Sequence, residues 1–150
     1  MIEALLNPLS SLVTWFFGRP RLRLLCGWSN HVNDDGVGTF VGFSIKIINP
    51  SSHEMRLERI EAIDSEGKLF FPSVLEVNPS REISPRTNVV AVIPCGHIVN
   101  TSPREISVID ATESRHRLKG KQLAKAVAEL KAEVARLQEL GFGVHPRRIP

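Results

Sequence analysis

Cys95-Gly96-His97 sets a thiol and an imidazole two residues apart, close enough to share one face of a strand. A nucleophilic pair of this kind needs a cleft and a third group to orient the base. The flanking sequence offers neither, so the expected reading is a buried thiol at a turn. The five histidines, His31, His53, His97, His116 and His145, show no metal-ligand spacing and no H-E-x-x-H. Asn33-Asp34-Asp35-Gly36 has acids before a glycine, as a calcium loop does. The glutamate due six residues after that glycine is Gly42, however, and His31 stands at the first ligand place, so a solvated turn is expected. Gly36-Val37-Gly38 precedes a strand pattern, not the helix that a phosphate cradle requires. There is no G-x-S-x-G elbow. Glu58, Glu61 and Asp64 could be assembled by folding into acid–base partners, but a strand face turned to water accounts for them. The expectation is a protein that is not an enzyme and that needs no cofactor and no metal.

The basic residues carry a second kind of chemistry, attraction to anions. The net charge is +3 over 150 residues, and it is unevenly spread. Arg19, Arg21 and Arg23 form one cluster; Arg115, Arg117, Lys119, Lys121 and Lys125 form another around His116; Arg147 and Arg148 close the chain. Five cations in the eleven residues from Arg115 to Lys125 would hold phosphates in a salt-dependent way. These cations run into the start of a helix, where the dipole is already positive, which hints at an acidic counterpart. The second cluster has no interleaved aromatics of the kind that stack on bases, so anionic lipid ranks slightly ahead of nucleic acid as the anion.

Two apolar segments flank these clusters. From Ala4 to Gly18 fifteen residues pass without a charge. Leu9, Leu12, Val13 and Phe16 recur at helical spacing, Asn7-Pro8 reads as an N-cap and first helical residue, and Trp15, Phe16 and Phe17 crowd the end. The run is shorter than the roughly 20 apolar residues of a membrane span. Its aromatics beside Arg19, Arg21 and Arg23 suit a helix lying on a membrane surface; packing on the following domain or on a second copy is the other reading. Near the far end, Leu123, Val127, Leu130, Val134 and Leu137 repeat in a 4-3-4-3 rhythm. Val at a and Leu at d favour a parallel two-stranded coiled coil. Three heptads are marginal on their own, and Ala124 and Ala126 widen the seam, so docking on the chain's own sheets is equally open, with a partner protein's helix third.

Between them, residues 20 to 118 read as strands separated by turns. Val41, Phe43, Ile45 and Ile47 alternate cleanly within Thr39 to Ile48. Met55 to Ile63 breaks parity between Leu57 and Ile60, which predicts a bulge. Pro72 kinks or interrupts Lys68 to Val77. Leu22 to Trp28, Thr87 to Ile93, Gly96 to Val99 and Arg104 to Asp110 are further strand candidates, with Arg115 to Leu118 beyond a turn at Thr112-Glu113-Ser114. The spacing is that of a sandwich.

The runs FSIKIINPSSHEMRLERIEAIDSEGKLFF, TNVVAVI and EISVIDATESRHRL resemble, in layout, the immunoglobulin-like and fibronectin-like sandwiches. The resemblance implies a mainly β fold of two antiparallel sheets. It does not bring the antibody disulfide, since Trp28 sits two residues after Cys26 and the chain has no Tyr for a tyrosine corner. Cys26 and Cys95 are expected to be free thiols in a reducing cytosol, with a pairing left open.

The expected organisation is an N-terminal apolar helix over 1–19, an immunoglobulin-like antiparallel sandwich over 20–118, an amphipathic helix over 119–141 and a basic tail over 142–150. No cleaved secretory signal is expected at the start. The expected function is protein interaction or assembly, by self-association or partner binding through the terminal helices, in the cytoplasm and peripherally at a membrane. The alternative is capture of an anionic ligand or nucleic acid at the basic clusters.

Overall fold

The computed structural model describes residues 21–32, 39–76 and 81–141. Period-two alternation becomes two antiparallel sheets. The first has the order β1-β2-β7-β5, formed by β1 (Arg23–Val32), β2 (Thr39–Ile48), β7 (Asn88–Pro94) and β5 (Leu75–Glu76). The second has the order β4-β3-β8-β9, formed by β4 (Leu69–Phe70), β3 (Met55–Ile63), β8 (Glu105–Asp110) and β9 (Arg115–Lys119), with β6 (Glu82–Ile83) pairing β3 beside that path.

Register decides which side chains meet. Trp28 opposes Phe43, which opposes Ile93; Cys26 opposes Ile45, which opposes Ala91. On the other sheet Ala62 opposes Ile106, which opposes Leu118. These inward faces close on each other, and Phe43, Ile45, Ile47, Ile93, Ile106 and Val108 are wholly buried. The outward face of the second sheet carries Arg59, Glu61, Ser107, Arg115 and Arg117. The pairing of β3 with β8 slips between Leu57 and Arg59, the bulge that the broken parity predicted.

Two elements depart from expectation. Gly96 to Val99 is not a strand. It lies in helix α1 (Cys95–Thr101), bounded by Pro94 and closed by Ser102 in the left-handed region at φ 44. Gly, Val, Asn and Thr are poor helix formers, so local propensity gives no warning. Fully buried Ile98 holds the turn down, and Thr101 Oγ1 donates to the carbonyl of His97. Lys68 to Val77 is not one strand either. Pro72 ends β4, and the chain crosses to the other sheet as β5.

Gly120, at φ 75, turns the chain out of β9 into helix α2 (Lys121–Glu139). The heptad stripe faces inward on its own molecule. Leu123 and Leu130 are wholly buried, Ala126, Val127 and Val134 nearly so, and Leu137 partly, all in one core with both sheets. Burying each leucine contributes about 1.5–3 kcal/mol. The helix therefore completes the core that the two sheets begin. The expected apolar helix over 1–19, with Leu9, Leu12, Val13, Trp15, Phe16, Phe17 and Arg19, lies outside the described residues, as does the tail over 142–150.

Candidate functional site

Folding brings two of the basic clusters together. Strands β1 and β9 are the outer strands of opposite sheets, and they meet along one edge of the sandwich. The backbone N–H of Leu22 donates to His116 Nδ1 at 3.2 Å. Further along, the Cys26 thiol donates to the carbonyl of Gln122 at 3.7 Å. These two contacts fix the strands side by side in the same direction. Leu22, His116 and Leu118 turn inward and are buried, and the intervening residues turn out. Arg21 and Arg23 thus stand on one side of a seam and Arg115, Arg117 and Lys119 on the other, all exposed, with Lys121 just beyond.

The cations are not equivalent. Glu61 sits under two guanidinium groups, 2.8 Å from Arg59 Nε and 2.8 Å from Arg115 Nη2. The Arg59 hydrogen bond holds the Glu61 carboxyl below the usual range, against the opposing effect of burial, and Arg115 adds to it. Arg59 also reaches Glu113 at 3.1 Å, and Arg117 Nε lies 3.2 Å from Glu105. Arg115 and Arg117 are therefore largely neutralised on the sheet's outer face. Lys125 has Glu129 one turn on at 3.9 Å. Arg21, Arg23, Lys119 and Lys121 have no ion pair among the described residues. These four give the seam its net positive charge.

Beneath the seam, His116 Nε2 lies 2.8 Å from Asp110 Oδ2. Because Nδ1 accepts from Leu22, Nε2 must carry the proton that it shares with Asp110. Asp110 Oδ1 accepts from the Thr112 and Ser114 backbone N–H groups and from the Thr112 hydroxyl, which closes the β8–β9 turn. Burial pushes the Asp110 carboxyl up, but its hydrogen bonds from Thr112, His116 and Ser114 outweigh it and hold the group low. An Asp–His pair of this kind can orient a base, yet both imidazole nitrogens are already occupied and the side chains are buried. Its task here is structural.

The other candidate chemistry is dispersed. His97 Nδ1 accepts the Ser73 backbone N–H at 3.4 Å, while Cys95 is buried at the start of α1. Burial pushes the Cys95 thiol up, and burial together with Glu129 does the same to Cys26; both are free thiols. Asp64 Oδ1 caps the turn at Glu66 and Lys68, Glu61 is tied to arginines, and Glu58 is exposed on the bulge. Among the described residues no cluster of His, Cys, Asp or Glu could hold a metal ion, and no helix is long and apolar enough to cross a membrane. The loop Asn33 to Gly36 lies outside them.

Sequence reasoning missed the pairing of His116 with Asp110 and Leu22. One signal was available: His116 alternates in phase with Leu118, which places it on the buried face. Compared with protein-family models, curated proteins and solved structures, the chain matches none.

Proposed function

We propose that this chain is a non-enzymatic, immunoglobulin-like interaction module that docks on anionic membrane surfaces through the β1–β9 seam. The strand orders β1-β2-β7-β5 and β4-β3-β8-β9 support the immunoglobulin-like reading, since they follow the two-sheet layout ABED and CFG with a C′ strand added to the second. The observation that carries the docking is the position of the four uncompensated cations. Arg21 and Arg23 follow directly on the uncharged run from Ala4 to Gly18, and folding sets Lys119 and Lys121 beside them. An apolar segment and a basic patch at one place are the two signals that stable membrane attachment requires. Each surface Lys or Arg contributes about 1 kcal/mol near an anionic leaflet. The first turn of α2 holds no acidic residue, so the helix dipole adds to the positive field there. The heptad face is engaged inside the molecule, so partners are met by the remaining surfaces and not by that seam.

Flotation of the full chain with phosphatidylserine vesicles tests the reading. Binding at low salt, its decline with salt, and its loss in the quadruple variant R21E/R23E/K119E/K121E are expected. Equal flotation with neutral vesicles, or undiminished flotation of the variant, would remove the seam from the account. A nucleic-acid filter assay on the same variant, if it showed tight salt-dependent binding where vesicles showed none, would replace lipid with nucleic acid.

A further inference from the structure

On the side of the sandwich opposite the seam the two sheets do not close. Strand β5 pairs only Ala91 and Val92 of β7, and β4 and β6 pair only the two ends of β3. Between β7 and the bulged middle of β3 lies a cleft of about 400 Å³, within the range of small-molecule sites. Protein interiors are packed with few voids larger than a water molecule, so a gap of this size between apolar walls is a feature to explain. Leu57 and Ile60 line one wall and Val89 the other, with Val74 of the crossing segment between them, and all four are partly buried. Phe71 lies at the mouth with 65% of its surface exposed.

The rim is charged. Glu58, Arg59 and Arg81 border the opening. Arg59 is held by Glu61 and Glu113. Arg81 sits in the left-handed region at φ 57, kept there by two contacts: its carbonyl accepts the Leu57 N–H at 2.8 Å, and its Nη1 donates to the Glu58 carbonyl at 3.1 Å. A residue held in a sparsely populated conformation needs such support, and the support aims its guanidinium at the mouth of an apolar slot.

We propose that the cleft binds a single-chain anionic amphiphile, a free fatty carboxylate, with its alkyl chain between the sheets and its acid group at Arg81. The site shares no residue with the seam, so it stands apart from the membrane-docking reading.

Calorimetry of the full chain with dodecanoate, below the concentration at which it forms micelles, tests this. One saturable site per chain is expected, with dodecyltrimethylammonium weaker by about tenfold or more. Ile60→Trp fills the slot and should abolish binding; Val89→Phe does the same from the other wall and serves if Ile60→Trp fails to fold by circular dichroism. Arg81→Glu should reverse the order of the two amphiphiles. Absence of saturable binding, equal affinity for both amphiphiles, or binding indifferent to the wall variants would overturn the proposal. Ile60→Trp should leave vesicle flotation intact, and R21E/R23E/K119E/K121E should leave dodecanoate binding intact, so the two sites fail separately. Loss of dodecanoate binding in the seam variant would overturn the cleft assignment by tracing the amphiphile to the seam.

Discussion

Leu22 gives its backbone N–H to His116 Nδ1, ninety-four positions away in sequence, and this contact ties the first strand of one sheet to the last strand of the other. The same imidazole holds Asp110, whose second oxygen organises the β8–β9 turn. Replacing His116 with Ala therefore leaves a buried N–H without its acceptor and a buried carboxylate without a partner. A loss of about 2–4 kcal/mol in urea unfolding is expected. His116→Gln, with one polar end, should recover only part of it.

Asp110 and Glu61 are both held below the usual carboxylate range. A depressed folded-state value means that the stabilisation is whole above the unfolded-state value, about 4, and is lost as pH falls through the lower folded-state values. Unfolding midpoints followed from pH 7 downward should stay level to about pH 5 and then drop. In Asp110→Asn the drop should be shallower and the starting stability lower. An identical acid limb in the variant would show that Asp110 does not contribute to it.

Leu130 is wholly buried beneath α2. Leu130→Ala should cost about 3–4 kcal/mol, the range for a fully buried leucine. A chain ending at Leu118 bares the core that α2 covers, and should lose its cooperative thermal transition. Sedimentation of the full chain at rising concentration should not depend on this stripe. A Leu130→Ala variant that matched the parent in urea would contradict the packing.

Asn49 is buried without exposure at the end of β2. Its Nδ2 donates to the carbonyls of His53 at 2.7 Å and Ile83 at 3.0 Å, and its Oδ1 accepts from Ser51 N–H at 3.1 Å. One amide thus fastens the β2–β3 turn to β6. Asn49→Asp keeps the shape but turns a donor into an acceptor facing two carbonyls. Asp should therefore be as damaging as Ala, about 2–3 kcal/mol by denaturant titration.

Burial raises both thiols. At pH 7 alkylation by iodoacetamide should be slow at Cys26, which is partly buried, and slower at Cys95, which is buried. Mass spectrometry of timed samples should find Cys26 modified first, with the rate rising as pH rises. Fast labelling of Cys95 in the folded protein would contradict its place under α1.

Much of this fold is written in alternation. Val41 to Ile47 and Met55 to Ile63 announce their strands because one face of each is buried and the other wet, and the bulge shows as the break between Leu57 and Ile60. Helix α2 is legible for the same reason at helical period. Helix α1 is not, because its stability comes from Ile98 entering a core that only exists once the sheets have met. The seam was half legible. Its cations are plain in the sequence, yet their nearness depends on β1 and β9 being the outer strands of different sheets, which no local pattern encodes. The cleft left no trace, since a gap is a property of what two strands fail to bring together.

The ten-pair ladder between β1 and β2, from Arg23 opposite Ile48 to Val32 opposite Thr39, begins at the place where the N-terminal segment joins. Its hydrogen bonds run across the strands. A tension applied at Arg21 along the strand axis strains all ten pairs together, and the Leu22–His116 contact with them, whereas a tension across the sheet would open them one by one. A molecule tethered by that segment is thus built to carry mechanical load along its first strand, and the orientation of its tether decides whether it holds or unzips.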